Sequence, residues 1–131
     1  MLPHRTRRCV AQALVEFALV VPLVVSLSFG VLQLVLYAHA RDVATSSVQE
    51  AARLSAEDGR GLDDGYARAR ALIAAGLGSS LDPLALSGSM DSEVVRMRVD
   101  AGLRPILPLG APLQVHAEAW VARERFRPDG H

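Results

Sequence analysis

The residues of this chain that could do chemistry are few and widely spaced. The four histidines are scattered, and none lies three to five residues from another pair of metal ligands, as a zinc site would need; they are His4, His39, His116 and His131. Asp63 and Asp64 are adjacent, which favours a helix cap over an acid/base pair. The glycine-rich stretches lack a phosphate-loop pattern. The sequence therefore predicts no catalytic site, no metal site and no cofactor, and the protein is not expected to be an enzyme.

One carboxylate is notable for its surroundings. Glu16 lies between Val15 and Phe17, where a long apolar run begins. A lone carboxylate that enters lipid costs roughly a few kcal/mol, so it needs either solvent or a positive partner. Two interpretations stay open. Glu16 lies at the membrane interface, solvated by headgroups near a helix N-terminus, or it meets a positive charge when subunits assemble.

The element that carries Glu16 is long enough to cross a membrane. From Phe17 to Ala40 the chain has 24 residues without Asp, Glu, Lys or Arg. As a helix they would span about 36 Å, against about 30 Å of hydrocarbon core. Arg5, Arg7 and Arg8 precede the run, and basic residues in that position stay cytoplasmic. We expect a single pass through the cytoplasmic membrane, with the N-terminus cytoplasmic and the C-terminal domain extracytoplasmic.

Three interpretations compete for this segment: a plain anchor, a cleaved secretory signal and a leader of the prepilin type. Ala38-His39-Ala40 has the Ala-x-Ala form of a signal-peptidase site, and cleavage there would release a soluble secreted domain after Ala40. The apolar run is longer than the usual signal core of about 7–15 residues, which argues against that outcome. The plain anchor would be an uncleaved single-pass envelope protein.

The sequence around Glu16 decides for the third interpretation. Residues 12–23 read Gln-Ala-Leu-Val-Glu-Phe-Ala-Leu-Val-Val-Pro-Leu, and residues 50–53 read Glu-Ala-Ala-Arg. Between them lie Gly30, Gln33 and Leu36-Tyr37-Ala38. This pattern resembles TadE-like proteins, which are minor pilins or pseudopilins of the tight-adherence (Flp, type IVc) pilus system. The strong part of the resemblance covers residues 12–54.

The resemblance implies a structural subunit that helps to assemble a tight-adherence type IV pilus at the cell envelope. It implies cleavage by a prepilin peptidase between Ala11 and Gln12, with Ala11 where such leaders usually have Gly. In pilins the glutamate is thought to meet the N-terminal amine of an adjacent subunit, which here would be the amine of Gln12. The implied partners are other pilin subunits, the pilus assembly machinery, the prepilin peptidase and the lipid bilayer, and the protein would reside in the membrane or in the pilus.

Pro22 lies ten residues after Gln12, inside the apolar run. A proline there removes one backbone hydrogen bond and bends the helix. A kink tolerated in the membrane and a role in assembly both remain open.

The helical pattern continues beyond the membrane segment. Small residues recur at spacings of three and four from Val43 to Leu54. We expect a basic leader at residues 1–11, a transmembrane and stem helix at residues 12–57, and a small extracytoplasmic α+β domain at residues 58–131. Two separate helices with a bend near Ala40 are the alternative to one long helix.

The C-terminal domain shows a short helix and then alternation. Asp63 or Asp64 is expected to cap a helix over residues 66–75, which glycines end, and residues 79–83 are expected to form a loop. Residues 95–103 and 113–121 alternate apolar and polar side chains, which predicts two antiparallel strands with one wet face. Residues 84–89 are a candidate third strand. The fold class is therefore α+β, with a long N-terminal helix, a short second helix and a small two- to three-stranded antiparallel sheet.

The net charge, Cys9 and Trp120 bear on the partners and contacts that this chain can have. The formal net charge is zero, so no basic field favours nucleic acid as a partner. Cys9 is the single cysteine and cannot form an internal disulfide. Trp120 falls on the polar register of its strand, where it either covers the sheet edge or takes part in a subunit contact.

Overall fold

The structure is a computed structural model that describes residues 4–106 and 110–123, with side chains from residue 9 onward. The chain divides into two units, Met1–Val35 and Leu36–His131. Its elements, in chain order, are α1 (His4–Ala56), α2 (Leu62–Leu77), β1 (Leu81–Met90), β2 (Val94–Leu103) and β3 (Leu113–Ala122). The predicted α+β class is confirmed, including the long N-terminal apolar helix and the antiparallel sheet.

Helix α1 is continuous at Ala40, where a bend was the alternative. It begins at His4, inside the residues expected as a leader, and ends at Ala56, one residue before the expected end of the stem. Gly59 follows with a φ of 78°, a left-handed conformation that suits glycine after a helix. Met1–Pro3 and the side chains of the three leader arginines lie outside the described residues.

The sheet has the order β1-β2-β3, and both strand pairs are antiparallel. The alternation predicted for β2 is confirmed, since Val95, Met97 and Val99 are fully buried while Arg96 and Arg98 are exposed. The candidate third strand is also confirmed and is longer than expected.

Strand β1 begins at Leu81, so the loop expected up to residue 83 is wrong for its last three residues. Pro83 can lie in a strand because β1 is at the edge of the sheet, and because the register shifts between Leu81 and Leu84.

The core of the second unit is built mostly from small side chains. Buried apolar residues from both helices and the sheet form one cluster, which includes Ala44, Val48, Ala51, Ala52, Ala69, Ile73, Met97, Val99 and Val115. Gly65 allows the closest approach, because a Cβ there would overlap Ser55 Oγ and lie 2.9 Å from the Ala51 carbonyl oxygen. At the other end of α2, a Cβ on Gly76 would lie 2.8 Å from Val43 Cγ1. These glycines let α2 pack closely against residues 43–55 of α1.

The start of α2 differs from the prediction that Asp63 or Asp64 caps it. The cap residue is Gly61, with extended backbone angles (φ −133°, ψ 177°). Asp64 lies three residues later and its carboxylate accepts the Gly61 N–H at 3.2 Å. Since glycine has no side chain, only this half of a capping box can form. Asp63 and Asp64 both lie in the first turn, where carboxylates oppose the positive end of the helix dipole.

Candidate membrane and assembly site

The first unit presents an apolar helix surface that no described residue covers. Phe17, Leu19, Leu23 and Leu27 are each 68–72% exposed, far above what large apolar side chains show in a folded core. The helix contains an 18-residue window with a mean hydropathy of 2.4, none of it buried. Its length and composition suit a membrane span or a signal sequence. A span explains the exposure, because lipid is the solvent that such a surface prefers.

Glu16 lies on this surface as an exposed side chain. Its neighbours Val15 and Phe17 are 61% and 68% exposed. Within the part of the chain that the structure describes, no basic group lies within ion-pair distance of its carboxylate. A carboxylate on an apolar helix, without a cation beside it among the described residues, would be stabilised by a positive partner from another subunit.

Ala11 and Gln12 lie in the same helix, and both are exposed. Gln12 precedes Glu16 by four residues, which places the two on one face about 6 Å apart along the axis. An amine created at Gln12 would therefore lie one turn from the carboxylate. The same geometry, repeated in a second helix shifted along the axis, would bring the two charges together.

Pro22 has local hydroxyl neighbours that the sequence reasoning missed. A proline lacks the N–H that would bond the carbonyl four residues earlier, here Ala18. After it, Ser26 Oγ donates to the Pro22 carbonyl at 2.7 Å and Ser28 Oγ donates to the Val24 carbonyl at 2.9 Å. Serine hydroxyls in lipid are satisfied by such bonds, which also tend to bend a helix. In the sequence, the serine four residues after the proline could have indicated this hydrogen bond.

A second polar cluster lies on the outer face of the sheet, the face turned away from the helices. Arg98 Nε donates to Asp100 Oδ2 at 2.8 Å, and His116 Nδ1 lies 2.5 Å from Asp100 Oδ1. Hydrogen bonds from Arg98 first and His116 second hold the pKa of Asp100 below its usual range. On β3, Trp120 Nε1 donates to Glu118 Oε1 at 3.1 Å. The sequence reasoning missed this cluster because Asp100 and His116 face each other only through the β2–β3 register.

Trp120 is 69% exposed, as its position on the polar register predicted. Asp63 and Asp64 serve the start of α2, as described above. Among the described residues, no three His, Cys, Asp or Glu side chains converge to hold a metal. His131 and the side chain of His4 lie outside the described residues.

Comparison with known proteins bears on the helix rather than the sheet. No curated protein and no solved structure matches the chain. The family model of TadE-like protein matches residues 11–53. That interval starts at Ala11, contains Glu16 and Pro22, and ends at the Arg53 of Glu-Ala-Ala-Arg. It includes the exposed apolar surface of the first unit and most of the α1 residues that pack in the second. The chain thus carries a TadE-like protein family domain at residues 11–53.

Proposed function

We propose that this protein is a minor pilin-like structural subunit for assembly of a tight-adherence type IV pilus. Its basic leader is removed between Ala11 and Gln12, and α1 then holds the subunit in the cytoplasmic membrane or in the pilus. The second unit lies on the extracytoplasmic side. The observation that carries the proposal is Glu16: the one carboxylate among the described residues of the first unit, exposed on an apolar helix surface inside the TadE-like domain.

The charge chemistry supports assembly over simple anchoring. Two isolated charges in lipid are each costly, and they become tolerable when they pair. Cleavage after Ala11 would create a cation at Gln12, one turn from Glu16. Pairing of this amine with Glu16 of a neighbouring subunit would fix the axial offset between the two helices.

The packing of the second unit argues against release after Ala40. Ala40 is fully buried and belongs to the core cluster, and Tyr37 packs against that cluster. A cut after Ala40 would remove both residues from the folded unit. A cut between Ala11 and Gln12 lies within the first unit and leaves this core intact.

The N-terminus of the protein, expressed with its native envelope machinery, tests the cleavage. Intact-mass analysis should give a chain that begins at Gln12. Ala11→Gly places the residue usual for such leaders at the cut and serves as the positive control. A chain that begins at Arg41 would favour a secretory signal, and an uncut chain, with the control cut, would favour a single-pass envelope protein.

A second experiment tests the role of the carboxylate. Glu16→Ala should reduce surface pili, while cleavage and the amount of protein in the membrane stay unchanged. Glu16→Asp keeps the charge and is the matched control, with most assembly retained. Normal piliation by Glu16→Ala would contradict the charge-pairing mechanism.

A further inference from the structure

The two edges of the sheet differ in how well they are protected. At one edge, β1 contains Pro83, which has no N–H, and a register shift between Leu81 and Leu84. Prolines and bulges are devices by which edge strands avoid pairing with other chains. At the other edge, β3 has ten residues without a proline or a lysine, and its register with β2 runs unbroken along the whole strand. In the described part of the chain, β3 is therefore the open edge.

The backbone groups on this open edge follow from one hydrogen bond. Arg123 N–H donates to the Glu93 carbonyl at 2.8 Å, just beyond the ends of β2 and β3. Backbone groups alternate in direction along a strand, so the odd-numbered residues of β3 bond to β2. The N–H and C=O groups that point away from β2 belong to Gln114, His116, Glu118, Trp120 and Ala122. Among the described residues, β3 has no second strand neighbour.

We propose that β3 pairs antiparallel with β3 of a second copy of this chain, with Ala117 on the twofold axis. The two three-stranded sheets then join into one of six strands. The outward-pointing pairs that lie within β3 are of the type that exchanges two backbone hydrogen bonds. His116 faces Glu118 of the second copy, and Trp120 faces Gln114 of the second copy.

Charge complementarity selects this register. A twofold axis at His116 would place two imidazoles opposite each other, and an axis at Glu118 would place two carboxylates opposite each other, which destabilises a pair. An axis at Ala117 places imidazole against carboxylate twice. The contacts within each copy remain, because His116 meets Asp100 through Nδ1 and Glu118 meets Trp120 through Oε1. A protonated His116 would then bridge two carboxylates through its two ring nitrogens.

Trp120 gains a role in this arrangement. It is 69% exposed on an otherwise polar face, and aromatic side chains of this size are enriched where proteins meet. Against Gln114 of the second copy, its ring would be partly covered. The inference concerns the sheet and goes beyond the proposed function of α1, so either one can fail while the other holds.

Disulfide cross-linking between two full-length copies in the same membranes tests the pairing. Both copies carry Cys9→Ser, and different tags identify the mixed dimer. His116→Cys in one copy and Glu118→Cys in the other should cross-link, because facing Cα atoms of such a pair lie about 5.5 Å apart, within the range of about 4.4–6.8 Å that a disulfide spans. In the control, one copy carries His116→Cys and the other carries Gln114→Cys. In the proposed register, Gln114 of the second copy lies about 13 Å along the strand from the position that faces His116. Equal cross-linking in both arms, or none in either, would overturn the proposal.

Trp120 supplies a second measurement, since it is the only tryptophan in the chain. Dilution of the detergent-solubilised protein should shift its emission to longer wavelength as the pair dissociates. Glu118→Pro removes an edge-facing N–H without touching the β2–β3 hydrogen bonds, and should show the long-wavelength emission at every concentration. Glu118→Gln keeps the N–H and should retain most of the shift. Hydrogen exchange in β2 verifies that both variants are folded. The same concentration dependence in Glu118→Pro as in the wild type would contradict pairing through this edge.

Discussion

The two parts of helix α1 obey opposite rules of composition. In the first unit, up to Val35, large apolar side chains such as Leu19 and Leu23 cover the surface and are exposed. In the second unit, from Leu36 onward, the buried positions are mostly small, with Ala40, Ala44 and Ala51 at 0% exposure. Lipid accepts bulky side chains on all sides, whereas a neighbouring helix at close range accepts only small ones. Side-chain size at the apolar positions therefore distinguishes the two parts of the helix.

The largest effect on stability is expected when a core side chain of the second unit is truncated. Met97 is fully buried, and Met97→Ala should destabilise the unit by about 2–5 kcal/mol through lost burial and a cavity. Hydrogen exchange of the β2 amides measures this free energy. Leu23→Ala, at a 69% exposed position of the first unit, should leave the same protection unchanged. Equal effects of the two substitutions would remove the distinction between the units.

A charged substitution in the first unit tests whether its apolar helix spans a membrane. Leu27→Arg places a guanidinium within the apolar run and should oppose membrane insertion by about 2.5–3.5 kcal/mol. The fraction of protein that resists alkaline extraction from membranes should fall sharply. Ala85→Arg, on the exposed outer face of β1, is the control and should be retained like the wild type. Full retention of Leu27→Arg would argue against a membrane span.

The close helix contact predicts a smaller but sharp effect. Gly65→Ala introduces a Cβ that overlaps Ser55 Oγ, and such overpacking typically costs about 1–3 kcal/mol. Gly30→Ala is the matched control, because Gly30 is also inside a helix and a Cβ there has no neighbour within 4 Å. The melting temperature of the full chain in detergent compares the two variants. If Gly30→Ala lowers the melting temperature as much as Gly65→Ala, the contact is not the cause.

The smallest effect concerns the pH dependence of the second unit. The pKa of Asp100 is lowered by its hydrogen bonds to Arg98 and His116, so its contribution is present above the carboxyl's unfolded pKa and is lost as pH falls through the folded value. For a largely exposed ion pair we expect less than about 1 kcal/mol. Wild type and Asp100→Asn should differ in stability at neutral pH and converge in acid. Asp58→Asn, at another exposed carboxylate, is the control for the loss of one surface charge.

Sequence patterns predicted those parts of the molecule that depend on local periodicity. The apolar run predicted the helix, and alternation at residues 95–103 and 113–121 predicted the two long strands. Patterns failed where tertiary context decides. Pro83 was placed in a loop because an edge position is not visible in sequence. Asp100 and His116 come together only through the register of β2 with β3, which the local sequence pattern does not determine. No ion pair joins Glu16 to any residue that the structure describes, and its pairing with a neighbouring subunit stays a prediction.

The obstructed edge at β1 limits what this sheet can build. In polymer chemistry, a monomer with one reactive end gives a closed pair and terminates growth, whereas a monomer with two gives an endless chain. Pro83 and the register shift beside it leave the sheet with one reactive end. Association through its strands would therefore stop at two copies, and any longer assembly of this subunit would have to grow through surfaces other than the strand edges, such as α1.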